Sequence, residues 1–313
     1  MDLLFLSAEE IEALITPAGA VEAIERALRT SVDPELDAPR LFSPLAAGEF
    51  LLMPASSPDA VGIKVVTVAP GNPALGHPKI QALYVLFDAE TLTPRVLLDG
   101  SSLTLIRTPA TTAFAIRRLL ELDPRGARRH VDRLVVFGTG PQAFAHVRTL
   151  EAVVDVRTVL VRGRSEAKSA AFAERLTAET GIAAAPLRDE LGAADVVICA
   201  SSTSEPLFDG TVLAPDTVVA AIGTHGLEAR EVGPELLDRA DIVVEARAAA
   251  MREYGTLLLA HGREHWQERG LANLRDLAAG AFRRQAGRVA LYVGVGMSWQ
   301  DLVIVSEVVQ RRR

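Results

Sequence analysis

The sequence predicts an α/β protein of two domains, the second built on a parallel sheet with helices on both faces. Three observations carry this. From about residue 130, short apolar runs alternate with helical patterns, as in parallel sheets covered on both sides. Before residue 123 the apolar runs keep strand character and are separated by short turn clusters, which favours antiparallel neighbours. The length, 313 residues, corresponds to about two domains.

Ser7, followed by Glu10, reads as a capping box opening a first helix that runs through Leu14. Thr16 and Pro17 read as the N-cap and N1 of a second helix over 18–30, in which Val21, Ile24, Ala27 and Leu28 keep helical spacing. Strands are predicted over 50–55, Val61–Val68, 80–88 and 94–98, with turns at Ser56-Ser57-Pro58-Asp59 and Pro70-Gly71-Asn72-Pro73. A helix over 109–120 follows, with Thr108 as N-cap and Pro109 as N1, and then a polar linker over 123–129. The alternating region predicts strands over 134–137, 158–161, Val196–Cys199, 218–222 and 242–244, with helices from Pro141 and over Glu166–Thr180. The tail, 300–313, reads as an amphipathic helix able to return to the first domain. The expected division is 1–122 plus 290–313 for one domain and 123–289 for the other.

Composition excludes several classes. With 49% apolar and 23% charged residues the chain is not disordered, and at this length it needs no disulfide or metal staple. No apolar run approaches the ~18 residues of a membrane span, and no basic stretch precedes an apolar one at the start, so neither a span nor a secretory leader is expected. The single cysteine, Cys199, reads as a small core residue of a cytoplasmic chain. No His/Cys spacing suits zinc, so no metal is expected, and His77, His261 and His265 read as surface or packing residues. A net charge of −7 argues against nucleic acid or anionic membrane as partner.

The segment Phe137-Gly138-Thr139-Gly140-Pro141-Gln142-Ala143 closes a predicted strand and opens a predicted helix. In this G-x-G-x-x-A pattern Gly138 allows the tight turn, Gly140 lets a pyrophosphate approach the backbone, and Ala143 lets the helix pack on the strand. The first helical turn, Pro141 and Gln142 included, offers its dipole end to the phosphates. The next strand ends Leu160-Val161-Arg162-Gly163-Arg164-Ser165, with Lys168 just beyond. NAD-preferring sites usually carry an acid here, about 20 residues past the glycines, for the ribose hydroxyls. None is present. Arg162, Arg164, Ser165 and Lys168 suit a 2′-phosphate instead, so NADP(H) is expected as preferred cofactor and NAD(H) as a possible one. The alternative is a patch of solvated basic residues in an arginine-rich chain, which has only three lysines among 33 basic residues.

Three further cations stand in apolar surroundings. Lys64, in Gly62-Ile63-Lys64-Val65-Val66, needs a carboxylate partner, a cavity or a chemical task if buried, unless its head reaches solvent. Arg107 precedes the expected helix start at Thr108-Pro109, where guanidinium and helix dipole would together bind an anion. Arg40, in Ala38-Pro39-Arg40-Leu41-Phe42, reads by itself as a loop arginine.

The chain resembles the ornithine cyclodeaminase/mu-crystallin family over nearly its whole length. The likeness is carried by Leu52-Met53-Pro54, Gly62-Ile63-Lys64, Asn72 with Gly76-His77-Pro78, Leu103-Thr104-Leu105-Ile106-Arg107-Thr108, the glycine turn with Gln142, Ala221-Ile222-Gly223, and Gly296-Met297 before Asp301. The resemblance implies a Rossmann dinucleotide-binding domain inserted into an α/β substrate-binding and dimerisation domain, and a homodimer. It implies that Arg40, Lys64 and Arg107 surround the carboxylate of a small amino or imino acid. It places Thr108, Gly223 and Ser201-Ser202-Thr203 near the cofactor. Two positions depart from the cyclodeaminases of the family. Leu51 stands where they carry a glutamate, and His225 stands where they carry an aspartate. Both acids suit a diamine substrate.

The expected function is therefore reduction of the C=N bond of an imino acid such as 1-pyrroline-2-carboxylate or 1-piperideine-2-carboxylate, or oxidation of a small amino acid. Lys64 and His225 are the candidate proton carriers. The alternatives are a lyase converting ornithine to proline and ammonia, and a non-enzymatic ligand-binding protein.

Overall fold

The computed structural model describes residues 3–224 and 226–312. The chain opens with β1 (Leu4–Leu6), α1 (Ala8–Leu14) and α2 (Pro17–Thr30). The capping box is formed, with Ser7 Oγ accepting from Glu10 N–H and the Glu10 carboxylate from Ser7 N–H. Thr16 caps α2 through Gly19 N–H. Five strands follow, β2 (Leu41–Leu45), β3 (Gly48–Ser56), β4 (Val61–Val68), β5 (Ile80–Phe87) and β6 (Pro94–Asp99), and then the long helix α3 (Gly100–Glu121). These strands form one sheet in the order β1-β6-β5-β4-β3-β2, antiparallel throughout except for β1 alongside β6. Strands β1 and β2 were not expected. β1 is only three residues long, and β2 contains Pro44, which suits an edge strand alone.

The start of α3 corrects an expectation. Asp99 accepts from Ser102 N–H at 2.7 Å and so begins the helix two turns before Thr108. Thr108 and Pro109 are therefore interior residues, not N-cap and N1, and Arg107 does not sit beside a helix N-terminus. Pro109 cannot donate to the Leu105 carbonyl. Burial of Leu103, Ala110, Ala113 and Phe114 along one stripe outweighs that local loss.

The second region runs β7 (His130–Phe137), α4 (Pro141–Glu151), β8 (Asp155–Arg162), α5 (Glu166–Thr180), β9 (Ala183–Pro186), β10 (Val196–Cys199), β11 (Val218–Ala221), α6 (Pro234–Asp238) and β12 (Ala240–Val244). It continues through the short helices α7 (Arg247–Glu253), α8 (Gly255–Leu258) and α9 (Arg263–Arg269) to β13 (Ala272–Asn273), α10 (Leu274–Ala278) and β14 (Val289–Val293). All its strands are parallel, in the order β13-β12-β14-β11-β10-β7-β8-β9. Winding outward in both directions from β7 creates a switch point between β7 and β10, where open parallel sheets bind ligands at their carboxyl ends. The strands are apolar on both faces because helices cover both. The last element is α11 (Ser298–Arg311).

The chain divides into two compact units, Met1–Thr108 with Met297–Arg313, and Pro109–Gly296. In unit 1, Val21, Ile24 and Leu28 of α2 are buried, as is the sheet face carrying Met53, Val66, Tyr84 and Leu98. In unit 2 the polar stretch 123–129 is fastened down. Arg128 pairs with Asp123 at 2.7 Å and Asp195 at 3.1 Å, while Arg284 donates to the carbonyls of Leu119 and Asp216.

Candidate functional site

The strand register of unit 2 sets Phe137, Arg162 and Cys199 level at the carboxyl edge of the sheet. The loops that leave these ends enclose a cavity of about 870 Å³. Among the expected cofactor residues it brings together Gly138, Gly140, Arg162, Arg164, Lys168, Ser201, Ser202 and Thr203. Gly138 has φ +132°, and a Cβ there would stand 2.4 Å from the Ala200 carbonyl oxygen. Only glycine allows this turn. Gly140 differs. Its φ is −90°, open to any residue, and a Cβ would meet nothing within 4 Å. The backbone at Gly140 thus faces open space at the head of α4, a cradle that fits a pyrophosphate.

Other expected residues stand outside the wall of this cavity. Pro141, Gln142 and Ala143 form the first turn of α4, and Ala143 is fully buried. Ser165 caps α5 by accepting from Lys168 N–H at 3.3 Å. Gly223 lies against the next loop, where a Cβ would be 2.3 Å from Ser201 N. Thr108 is a residue of unit 1, within α3. Arg162 lines the cavity, but its guanidinium also donates to the carbonyls of Leu187 at 3.1 Å and Arg188 at 3.3 Å.

Unit 1 brings two of the expected substrate cations, Lys64 and Arg107, onto a buried acid, with Arg40 near enough for its charge to act on Lys64. Lys64 is 1% exposed on β4, opposite Tyr84 of β5. Its ammonium lies 2.8 and 2.9 Å from the two carboxylate oxygens of Asp301 on α11, and donates to Thr104 Oγ1 at 3.2 Å. Arg107 is buried too. It donates to Gln300 Oε1 at 2.9 Å, and its Nε lies 3.6 Å from Asp301. Burial lowers the Lys64 ammonium from its ordinary value to about 7, and the charges of Arg107 and Arg40 add to this. Asp301 opposes them. Burial likewise holds the Tyr84 phenol well above its ordinary range, with Asp301 and Asp37 acting the same way. Asp37 fixes the start of α11 by accepting from Ser298 and Trp299 N–H groups at 2.9 and 3.1 Å. His225, the other expected proton carrier, lies outside the described residues. No group of His, Cys, Asp and Glu able to hold a metal ion occurs among the described residues.

The family model for the ornithine cyclodeaminase/mu-crystallin family matches residues 1–313. The chain belongs to this family. Among its relatives, a Δ1-pyrroline-2-carboxylate/Δ1-piperideine-2-carboxylate reductase of Azospirillum brasilense is 31% identical, over 94% of this chain and 91% of the relative. A Δ1-pyrroline-2-carboxylate reductase of Bacillus cereus is 28% identical, over 99% and 96%. The fold matches that of a Thermococcus litoralis Δ1-pyrroline-2-carboxylate reductase solved with NADH and L-proline, with a TM-score of 0.86 at 23% identity over 99% and 97% of the two chains.

Several residues of this family member escaped the sequence reading. Gln300 and Asp301 fall in the predicted tail helix, and Asp301 enters the sequence analysis only through the family likeness, although an amide and an acid among Trp299 and Leu302 signal polar groups on a buried face. Both are fully buried. Arg188 lines the cavity of unit 2 and pairs with Glu166 at 3.2 Å. Glu231 is fully buried and accepts from Ser201 N–H at 2.9 Å and Gly223 N–H at 2.7 Å. Burial pushes its carboxyl up to about 8, against the backbone N–H groups that favour the charged form. Glu231 thus ties the loop after β10 to the loop after β11, directly behind Ser201. Glu231→Ala leaves at least two half-buried N–H groups without this partner. It should lower stability by about 2–5 kcal/mol in denaturant titration and weaken dinucleotide binding.

Proposed function

We propose that the protein is an NAD(P)H-dependent imine reductase for cyclic imino acids of the Δ1-pyrroline-2-carboxylate or Δ1-piperideine-2-carboxylate type, able to oxidise a small amino acid in reverse. The carrying observation is the composition of the unit 1 cluster, in which Lys64, Arg107 and Arg40 supply charge for one carboxylate. The position where cyclodeaminases of the family carry a glutamate is Leu51, buried with Met53 and Val66. A second ammonium group, as in a diamine, finds no counter-charge there. The activities named for the Azospirillum and Bacillus relatives support the same reading.

Reduction adds one hydride to the imine carbon and one proton to the nitrogen, giving the cyclic secondary amine. A reduced nicotinamide cofactor, when bound, supplies the hydride. Arg107 and Arg40 hold the carboxylate and so fix which face of the C=N bond is presented. Lys64, poised near neutrality, holds the proton that the nitrogen receives, with His225 as second candidate. Incubation with NADPH and a panel of cyclic imino acids, followed at the nicotinamide absorbance, tests the reading. Turnover of ornithine to proline and ammonia, without turnover of any imine, would reverse it in favour of the lyase.

Within this reading the preferred cofactor is NADPH. Arg164 and Lys168 line the cavity just past the end of β8, where no acid stands for the ribose hydroxyls. The double variant Arg164→Ala/Lys168→Ala should weaken NADPH binding by about 10- to 100-fold and leave NADH within about threefold, as read by fluorescence titration. The same reading takes 1–122 plus 290–313 as substrate domain and 123–289 as Rossmann domain. It also makes the enzyme a cytoplasmic homodimer. Phe5, Leu41, Leu45 and Leu83 give one face of the first sheet exposed apolar side chains, a surface that a second copy would cover. Light scattering should give twice the 33.4 kDa of one chain. No helix among the described residues is long and apolar enough to cross a membrane.

A further inference from the structure

We propose that Asp301 is a positioning residue that keeps Lys64 protonated and aimed, so that α11 sets the pH range in which the enzyme works. This rests on the reading of Lys64 as proton carrier. Its basis is geometry within unit 1. Both Asp301 oxygens lie within 3 Å of the Lys64 ammonium, and neither side chain reaches solvent. Among the described residues, the other charges shown to act on Lys64 are cations, Arg107 from α3 and Arg40 from the loop before β2, while the nearby Asp37 holds the start of α11 and acts on Tyr84. Thr104 of α3, which accepts from the ammonium, and Tyr84, opposite it on β5, carry no charge at neutral pH. Among the described residues Asp301 is thus the one charge shown to favour the ammonium form, against burial and two guanidinium groups that oppose it.

With Asp301 in place Lys64 titrates at about 7. The influences left without it all lower that value. In Asp301→Asn the amine is therefore neutral at pH 7, and protonation returns only on acidification. The alkaline limb of kcat/KM, which follows loss of the Lys64 proton in the free enzyme, moves to lower pH by more than one unit. Activity at pH 7 falls more than tenfold and recovers in acid. A merely structural role would lower activity equally at every pH.

The chain offers a readout independent of turnover, because it contains only three lysines, Lys64, Lys79 and Lys168. Lysine labelled with carbon-13 at Cε gives three NMR signals, assigned through Lys79→Arg and Lys168→Arg. The Lys64 signal should titrate near 7 in the intact protein and at least one unit lower in Asp301→Asn. An unchanged midpoint, or a loss of kcat/KM that acid does not relieve, overturns the proposal. If Asp301→Asn does not fold, the double variant Lys64→Met/Asp301→Asn decides. Folded protein supports an action of Asp301 through the Lys64 ammonium, and continued failure overturns the proposal. Should the imine reductase reading fail, no imino acid is turned over by the intact protein, whereas the NMR midpoints still separate the two variants.

Discussion

Arg107→Ala should lower kcat/KM for an imino acid by roughly 30-fold to several thousand-fold, corresponding to about 2–5 kcal/mol for loss of one partner of a buried charged contact. Arg107 is 5% exposed, so alanine leaves a void that water and a mobile carboxylate fill poorly. The guanidinium also has a fixed orientation, since Gln300 holds Nη1 and Asp301 lies beside Nε. Orientation is what a planar fork contributes to carboxylate recognition, so Arg107→Lys should recover little despite keeping the charge. A second effect separates this change from simple loss of fold. Arg107 is one of the groups that lower the Lys64 ammonium, so its removal should move the alkaline limb of the rate upward, opposite to Asp301→Asn. Calorimetry with a planar carboxylate ligand checks the first effect, and a pH series the second. Unchanged affinity would remove Arg107 from the substrate site.

Gly140→Val should abolish measurable dinucleotide binding, by more than about 100-fold, with the melting temperature unchanged within ~2 °C. The backbone at Gly140 is extended and any residue can adopt it, and an added Cβ meets no protein atom within 4 Å. The space it takes is the approach to the head of α4, so the branched side chain displaces ligand and not protein. Gly138→Ala provides the contrast. There the Cβ meets the Ala200 carbonyl at 2.4 Å with φ at +132°, and both stability and binding should fall. Thermal unfolding with fluorescence titration of NADPH distinguishes the two. Tight binding by Gly140→Val would place the pyrophosphate elsewhere.

The parts of the chain that obey local rules were legible. Ser7 and Glu10, Thr16 and Pro17, and the apolar runs of β7, β8, β10 and β11 are determined by neighbours a few residues away. The glycine turn was legible because its two glycines answer to distinct backbone demands. Lys64 was legible as a problem, a cation in an apolar strand, yet its solution was not. Asp301 is 237 residues distant, and nothing local reveals which acid a strand lysine will meet. Arg107 shows the opposite failure. A local signal, Thr-Pro, suggested a helix start, and the Asp99 cap with the packing stripe of α3 overrode it. Glu231 is recognisable only once β10 and β11 lie side by side and the N–H groups of Ser201 and Gly223 converge on it.

Unit 1 takes its material from both ends of the chain, whereas unit 2 is one uninterrupted stretch. During synthesis unit 2 can complete its sheet while the carboxy-terminal helix is still inside the ribosome. The amino-terminal layer has no such option. Its lysine and arginine remain without the Asp301 carboxylate until α11, which follows the whole of unit 2, has been made. A stop codon a few residues after Val293 would thus yield a nascent polypeptide with a finished nucleotide-binding half and a permanently uncompensated, protease-sensitive other half.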